Sequence, residues 1–154
     1  MNVSRTALVL LGLLAVLVVA AGRESVRNGD YAADHAFHEQ LSKTLDEGQA
    51  TGFSSAYVVP EGKRLVLEYV SFFGNTRPGQ KVHVTIKAGF MNDHPVLVSC
   101  IGCIGGCEQH RAAQPVKVYV DAGETIEFFV ERVGGTGGLL QSALTLSGYL
   151  ADVP

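Results

Sequence analysis

From Tyr57 to Leu150 apolar and polar residues alternate, and this period of two constrains the fold more than any other feature of the chain. Side chains two positions apart on an extended strand share a face, so each alternating segment predicts a strand with one buried and one wet face. On this pattern Tyr69 shares the buried face with Leu65 and Leu67. The segments with an apolar residue at every second position are Leu65 to Val70, Val82 to Ile86, Val116 to Val120, Ile126 to Val130 and Leu140 to Leu150.

The spacing of these segments predicts an all-β protein, specifically an antiparallel β-sandwich of the jelly-roll type covering residues 37–154. Glycine- and proline-containing turns separate the strands. A faint internal repeat aligns Tyr57 to Leu67 with Val118 to Phe128, and each copy reads as strand, tight turn and strand. Neither copy can bury its apolar face alone, which favours two packed layers.

Residues 37–47 fit two different structures. Phe37, Leu41 and Leu45 are spaced four apart, as on one stripe of a helix, and Gly48 would suit the end of that helix. The same three residues also fall on one face of a strand. The local pattern leaves helix and strand open.

The first 21 residues predict a cleaved signal peptide. One positive charge lies in Met1 to Arg5, an apolar run follows, and Val19-Ala20-Ala21 supplies small residues for cleavage. The run of about 14 apolar residues is short of the roughly 20 that span a bilayer, so we expect removal rather than a stable membrane anchor. We therefore expect export to the periplasm or the cell exterior, with residues 22–36 forming a flexible arm.

The composition of the mature chain excludes one class of partner. About 130 residues remain without the leader, the size of one domain, and they carry 11 basic and 15 acidic residues. No basic cluster exceeds the Lys63-Arg64 pair, whereas a nucleic-acid binder needs a surface that neutralises phosphates. We expect no nucleic-acid partner.

Two stretches resemble a group of small exported bacterial β-rich proteins for which no activity is established. These are Val59-Pro60-Glu61-Gly62-Lys63-Arg64-Leu65-Val66-Leu67-Glu68-Tyr69-Val70-Ser71 and Ser147-Gly148-Tyr149-Leu150-Ala151-Asp152-Val153-Pro154. The resemblance implies a bacterial source and a single secreted β-domain in which residues 37–59 form entry strands rather than a helix. It implies no reaction. The cysteine-glycine segment from Cys100 to Cys107 departs from the group.

Cys100, Cys103, Cys107 and His110 form the one dense cluster of reactive residues. Their spacing, C-x2-C-x3-C-x2-H, could supply three thiolates and an imidazole to a tetrahedral zinc ion. In an oxidising compartment two of the thiols tend to pair before a metal arrives. We favour one disulfide with a leftover thiol, and keep reduced cysteines and a zinc site as alternatives. The sequence does not choose among three pairings, and the leftover thiol could join two chains as a homodimer.

Motifs for catalysis are missing from the sequence. There is no G-x-S-x-G elbow, the Gly134 to Gly138 run lacks a phosphate-binding lysine, and the β region has no H-x-H pair of the cupin type. No helix follows Cys103 to lower a thiol pKa as in thioredoxin-type enzymes. His83 falls on a wet strand face, and Asp93-His94-Pro95 reads as a turn. We predict a protein that is not an enzyme and needs no cofactor.

Two aromatic residues mark a possible binding surface. Tyr119 and Phe129 fall on the nominally wet faces of their strands, where an exposed ring suits sugar stacking or a protein contact. The alternative is that a loop or the N-terminal segment covers them. The sequence therefore favours an exported, non-enzymatic β-sandwich that binds a surface glycan or a protein. The alternative is a metal- or thiol-dependent function at Cys100, Cys103, Cys107 and His110.

Overall fold

The structure is a computed structural model that describes residues 35–89 and 92–153. The predicted signal peptide and residues 22–34 of the predicted arm lie outside the described residues. Within the described ranges the chain is all-β, and no helix there is long and apolar enough to cross a membrane. The strands are β1 (Ala36–Leu45), β2 (Thr51–Phe53), β3 (Tyr57–Val58), β4 (Lys63–Thr76), β5 (Lys81–Ala88), β6 (Asn92–Val96), β7 (Ser99–Ile104), β8 (Cys107–Val120), β9 (Thr125–Val133) and β10 (Leu140–Asp152).

The strands form two antiparallel sheets. The first sheet has the order β1-β10-β4-β8-β7, and the second has the order β2-β9-β5-β6, with β3 also pairing with β9. The chain crosses repeatedly between layers, so strands adjacent within a sheet are mostly distant in sequence. This connectivity is that of a jelly roll with β7 added at one edge. The predicted antiparallel sandwich is confirmed.

Residues 36–45 form a strand and not a helix. β1 pairs with β10 along its whole length, and Leu41 lies opposite Leu144 with both side chains buried. Phe37 and Leu45 point into the same interior. Residues spaced four apart lie on one face of a strand, whose period is two, and also close to one stripe of a helix, whose period is 3.6. The three apolar residues therefore fit either structure. Pairing with a distant strand decides between them.

The core lies between the inner faces of the two sheets. Phe72 from the first sheet and Phe128 from the second meet edge to face, with ring centroids 6.4 Å apart. Leu65, Ile86 and Phe128 have no exposed surface. Burying each such side chain contributes about 1.5–3 kcal/mol, so the alternating residues supply the main stabilisation of the sandwich.

The two copies of the internal repeat lie against each other. Each copy contributes one strand to each sheet. The first copy supplies β3 and the start of β4, and the second supplies the last residues of β8 and the start of β9. The Val59 amide donates to the Glu124 carbonyl, and the Gly123 amide donates to the Val59 carbonyl, both at 2.9 Å. Gly62 and Gly123 take φ values of 72° and 77° in the equivalent turns, a conformation that favours glycine.

A β-bulge reverses the predicted orientation of Tyr69. The pairing of β4 shifts register between Leu67 and Tyr69 against both neighbouring strands. An extra residue in a ladder moves the following side chains to the other face. Tyr69 therefore points outward and is 45% exposed, whereas Val70 is fully buried. The prediction that Tyr69 belongs to the core is wrong.

Asp93-His94-Pro95 forms part of edge strand β6 rather than a turn. Pro95 lies opposite Thr85, and a proline is tolerated there because an edge strand needs only one set of ladder bonds. β6 pairs with β5 only from Val84 to Ala88. Among the described residues, the first part of β5, at residues 81–83, therefore has no strand partner on that side.

Candidate functional site

Three tyrosines share the outer face of the first sheet at one end. Tyr119 and Tyr149 lie on either side of Val66 in one row across β8, β4 and β10. The bulge places Tyr69 on the same face, beside Ser147. Tyr119 is 56% exposed, while Val66 beneath the rings is only 3% exposed. We call Tyr69, Tyr119, Tyr149, Val66 and Lys117 the tyrosine face.

Lys117 lies between two of these rings. Its Nζ is 5.8 Å from the centroid of Tyr119 and 5.9 Å from that of Tyr149, within the range of cation–π attraction. It donates a hydrogen bond of 3.2 Å to Glu68 Oε1, and this bond raises the pKa of Lys117. The tyrosine face therefore has a charged, solvated ion pair at its centre.

Phe129 lies on the outer face of the other sheet. It packs against Phe53 of β2 with ring centroids 5.1 Å apart, and Phe53 is 49% exposed. Part of Phe129 is covered by that neighbouring ring. Tyr119 and Phe129, the two residues predicted for a binding surface, thus belong to opposite sides of the sandwich and do not form one surface.

The outer face of the first sheet continues along β8 to Arg111. The Arg111 guanidinium lies over the ring of Phe73, with Cζ 3.8 Å from the centroid, and Nη2 donates to Gln109 Oε1 at 3.3 Å. Arg111 and Tyr119 are eight positions apart, which is roughly 26 Å on an extended strand. Aromatic rings therefore mark both ends of a long sheet face.

The three cysteines lie on the hairpin of β7 and β8. Its turn is Gly105-Gly106, with φ values of 62° and 81°, which matches the primed turns that suit tight hairpins. All three thiols are unpaired and exposed. The strand pairing puts Cys100 opposite His110, Cys103 opposite Glu108 and Cys107 opposite Ile104.

This register separates the cysteines. Opposite residues share a face, so Cys100 and Cys103 lie on the face of Glu108 and His110, and Cys107 lies on the other face. No two cysteines oppose each other, and the described structure contains no disulfide. No group of three or more His, Cys, Asp or Glu side chains in residues 35–89 and 92–153 is arranged to hold a metal ion.

Cys100 and His110 instead line a cleft of about 410 Å³ between β8 and the start of β5, together with Glu108, Gln80 and His83. His110 is 2% exposed, and its Nε2 is hydrogen-bonded to Thr76 Oγ1 at 2.9 Å. Burial lowers the pKa of His110, and Glu108 partly opposes this shift. The ring is therefore neutral near pH 7.

Gln80, another lining residue of this cleft, carries a buried acceptor without a partner among the described residues. The side chain is 5% exposed, and its Nε2 donates to the carbonyls of Gly135 and Gly137, both at 3.0 Å. Its Oε1 is buried without a protein partner among the described residues. The cleft is thus lined by a thiol residue and a neutral histidine.

No protein-family model matches the chain, and no curated protein matches it. Among solved structures, dimeric latent PorU from Porphyromonas gingivalis is similar to this chain, with a TM-score of 0.47 and 7% sequence identity. The similarity covers 77% of this chain and 13% of that chain. A likeness at this level indicates nothing about function. The class that the fold itself defines is the all-β jelly-roll sandwich.

Proposed function

We propose that the mature protein is exported, is not an enzyme, and binds a surface polysaccharide through the tyrosine face. One observation carries this proposal: three tyrosines stand on a single open face of a rigid sheet. Tyrosine rings offer an apolar surface to the C–H groups of a sugar and a hydroxyl for hydrogen bonding. Because the sheet holds the rings in place, little conformational entropy is lost on binding.

The surroundings of the rings favour a sugar over a protein. Thr145 lies on the same face and offers a hydroxyl group to a polyhydroxyl ligand, and the Ser147 hydroxyl there is 3.1 Å from His38 Nδ1, with which it shares a hydrogen bond. A protein interface core is depleted of charge, and burying the Lys117–Glu68 pair would cost desolvation energy. A hydrated glycan can leave that pair solvated.

The test is a glycan array followed by calorimetry on the protein without residues 1–21. We expect Tyr119→Ala to weaken glycan binding at least tenfold, which is about 1.4 kcal/mol. The matched control is Phe53→Ala, which removes an exposed ring from the opposite sheet and should leave binding unchanged. Loss of binding in Phe53→Ala but not in Tyr119→Ala would indicate that the binding site lies on the second sheet. An array without any bound glycan would refute the proposal, and capture of a protein partner would then replace it.

A second candidate is a thiol-dependent function at Cys100 and His110. The specific observation is that this pair lies opposite each other in the cleft, while Cys107 faces away. We expect Cys100 to react with alkylating agents at a rate that changes in His110→Gln, whereas the rate at Cys107 stays the same. Equal effects at both cysteines would exclude a specific pair. Thiol counting, zinc analysis and non-reducing electrophoresis of the exported protein would reveal a disulfide, a metal or a cysteine-linked homodimer.

A further inference from the structure

We infer that the polysaccharide is anionic and extends along β8 from the tyrosine face to Arg111, whose guanidinium recognises a carboxylate on the sugar chain. This inference rests on the proposed function and adds the class and the length of the ligand.

Arg111 is a cation without an acidic partner among the described residues. The ion pairs there join other cations to Asp or Glu, whereas Arg111 contacts the neutral amide of Gln109 and the ring of Phe73. The guanidinium lies over Phe73, and its hydrogen bond to Gln109 leaves the other N–H donors for a ligand. The planar fork of a guanidinium matches the two oxygens of a carboxylate.

The charge of the surrounding face fits an anion. The chain as a whole has a net charge of −3. On the outer face of the first sheet, however, the positions between Tyr69 and Arg111 are occupied by Ser71, Ala113 and Thr145, none of which is acidic. Glu68, the nearby acid on this face, is paired with Lys117. An anionic chain would therefore meet no uncompensated repulsion along this path.

The distance between the two ends requires a chain. Tyr119 and Arg111 are separated by roughly 26 Å along β8, so a single sugar cannot contact both. The side chains between them are short, which leaves a shallow path over the sheet. A ligand that engages both ends gains from their linkage because the second contact is intramolecular.

The test compares oligogalacturonates with neutral gluco-oligosaccharides, each as a disaccharide and as a long oligomer, by calorimetry. We expect Arg111→Gln to weaken binding of the long acidic oligomer about tenfold, as for loss of a charge-assisted hydrogen bond. Binding of both disaccharides and of the long neutral oligomer should not change. Arg64→Gln is the matched control, because Arg64 is already paired with Asp121. Added salt should lower the affinity of the parent for the long acidic oligomer more than it lowers the affinity of Arg111→Gln.

Three results would overturn the inference. Equal affinity of the parent for acidic and neutral oligomers would contradict recognition of a carboxylate. Equal affinity for short and long acidic oligomers would contradict an extended binding path. An equal loss in Arg64→Gln would show a general effect of charge. In each of these cases a tenfold loss in Tyr119→Ala would leave the proposed function standing, whereas failure of every glycan to bind would refute both.

Discussion

Replacing Arg132 with methionine should destabilise the fold more than any surface substitution. Arg132 is 2% exposed, yet the structure gives it no carboxylate partner among the described residues. Its guanidinium instead donates to backbone carbonyls of the loops that flank β9 on either side in space. The acceptors are the carbonyl oxygens of Asp46, Gln49, Thr136, Gly137 and Gly138.

The size of the effect follows from these contacts. Methionine keeps much of the volume but removes every donor, so several inward-facing carbonyls lose their partners. A hydrogen bond to a charged group contributes about 1.5–3 kcal/mol, and contacts made by one guanidinium are not additive. An unsatisfied buried acceptor costs about 1–3 kcal/mol, so with several carbonyls left unpaired we expect a loss of about 3–5 kcal/mol. That is a large part of the stability of an ordinary domain, which is about 5–15 kcal/mol.

The assay is urea unfolding at neutral pH, with the free energy of unfolding compared among the parent, Arg132→Met and Arg132→Lys. Lysine keeps a charge and three donors, so its loss should be intermediate. Lys81→Met is the control, since Lys81 is exposed and should change stability by less than about 0.5 kcal/mol. The free energy of unfolding in water is obtained by linear extrapolation from urea, with an error of roughly 1 kcal/mol. A free energy for Arg132→Met within that error of the parent value would refute the reasoning.

Three further outcomes are expected. Because burial lowers the pKa of His110, the neutral ring contributes its full stabilisation above about pH 6.5, and this stabilisation is lost as the pH falls below that value. Urea unfolding above and below that pH should therefore show a smaller pH effect on stability in His110→Gln than in the parent. An equal pH effect in the two proteins would contradict the burial argument. Gly148→Ala should cost about 3 kcal/mol of unfolding free energy, since an added Cβ would overlap the Val66 carbonyl oxygen at the bulge; a variant as stable as the parent would contradict this steric argument. Cys100, Cys103 and Cys107 should all react with a chromogenic disulfide in the native protein, because the hairpin register opposes no two of them; a count of one thiol would support the disulfide predicted from the compartment.

The alternating pattern was sufficient to predict most strands and the two-layer class, because a period of two survives in each strand regardless of its partner. It was insufficient at Glu68, where a bulge leaves the pattern of residue types unchanged but turns Tyr69 outward. The tyrosine face was therefore only partly predictable: Tyr119 was found, while Tyr69 was assigned to the core. Arg111 gave no signal, since Phe73 is far away in sequence and becomes its neighbour only through the pairing of β4 with β8.

The two outer faces of the sandwich differ in a way that bears on the proposed binding of an acidic polymer. On the second sheet Lys87 donates a hydrogen bond to Asp93, and His83 Nδ1 lies 3.4 Å from Glu131 Oε2. On the first sheet Arg111 has a ring and an amide instead of an acid. A partner that brings a negative group gains an interaction with Arg111 without breaking one, whereas at Lys87 it must displace the carboxylate of Asp93. The tyrosine face therefore shares its sheet with a cation that an acidic polymer could reach without displacing a carboxylate.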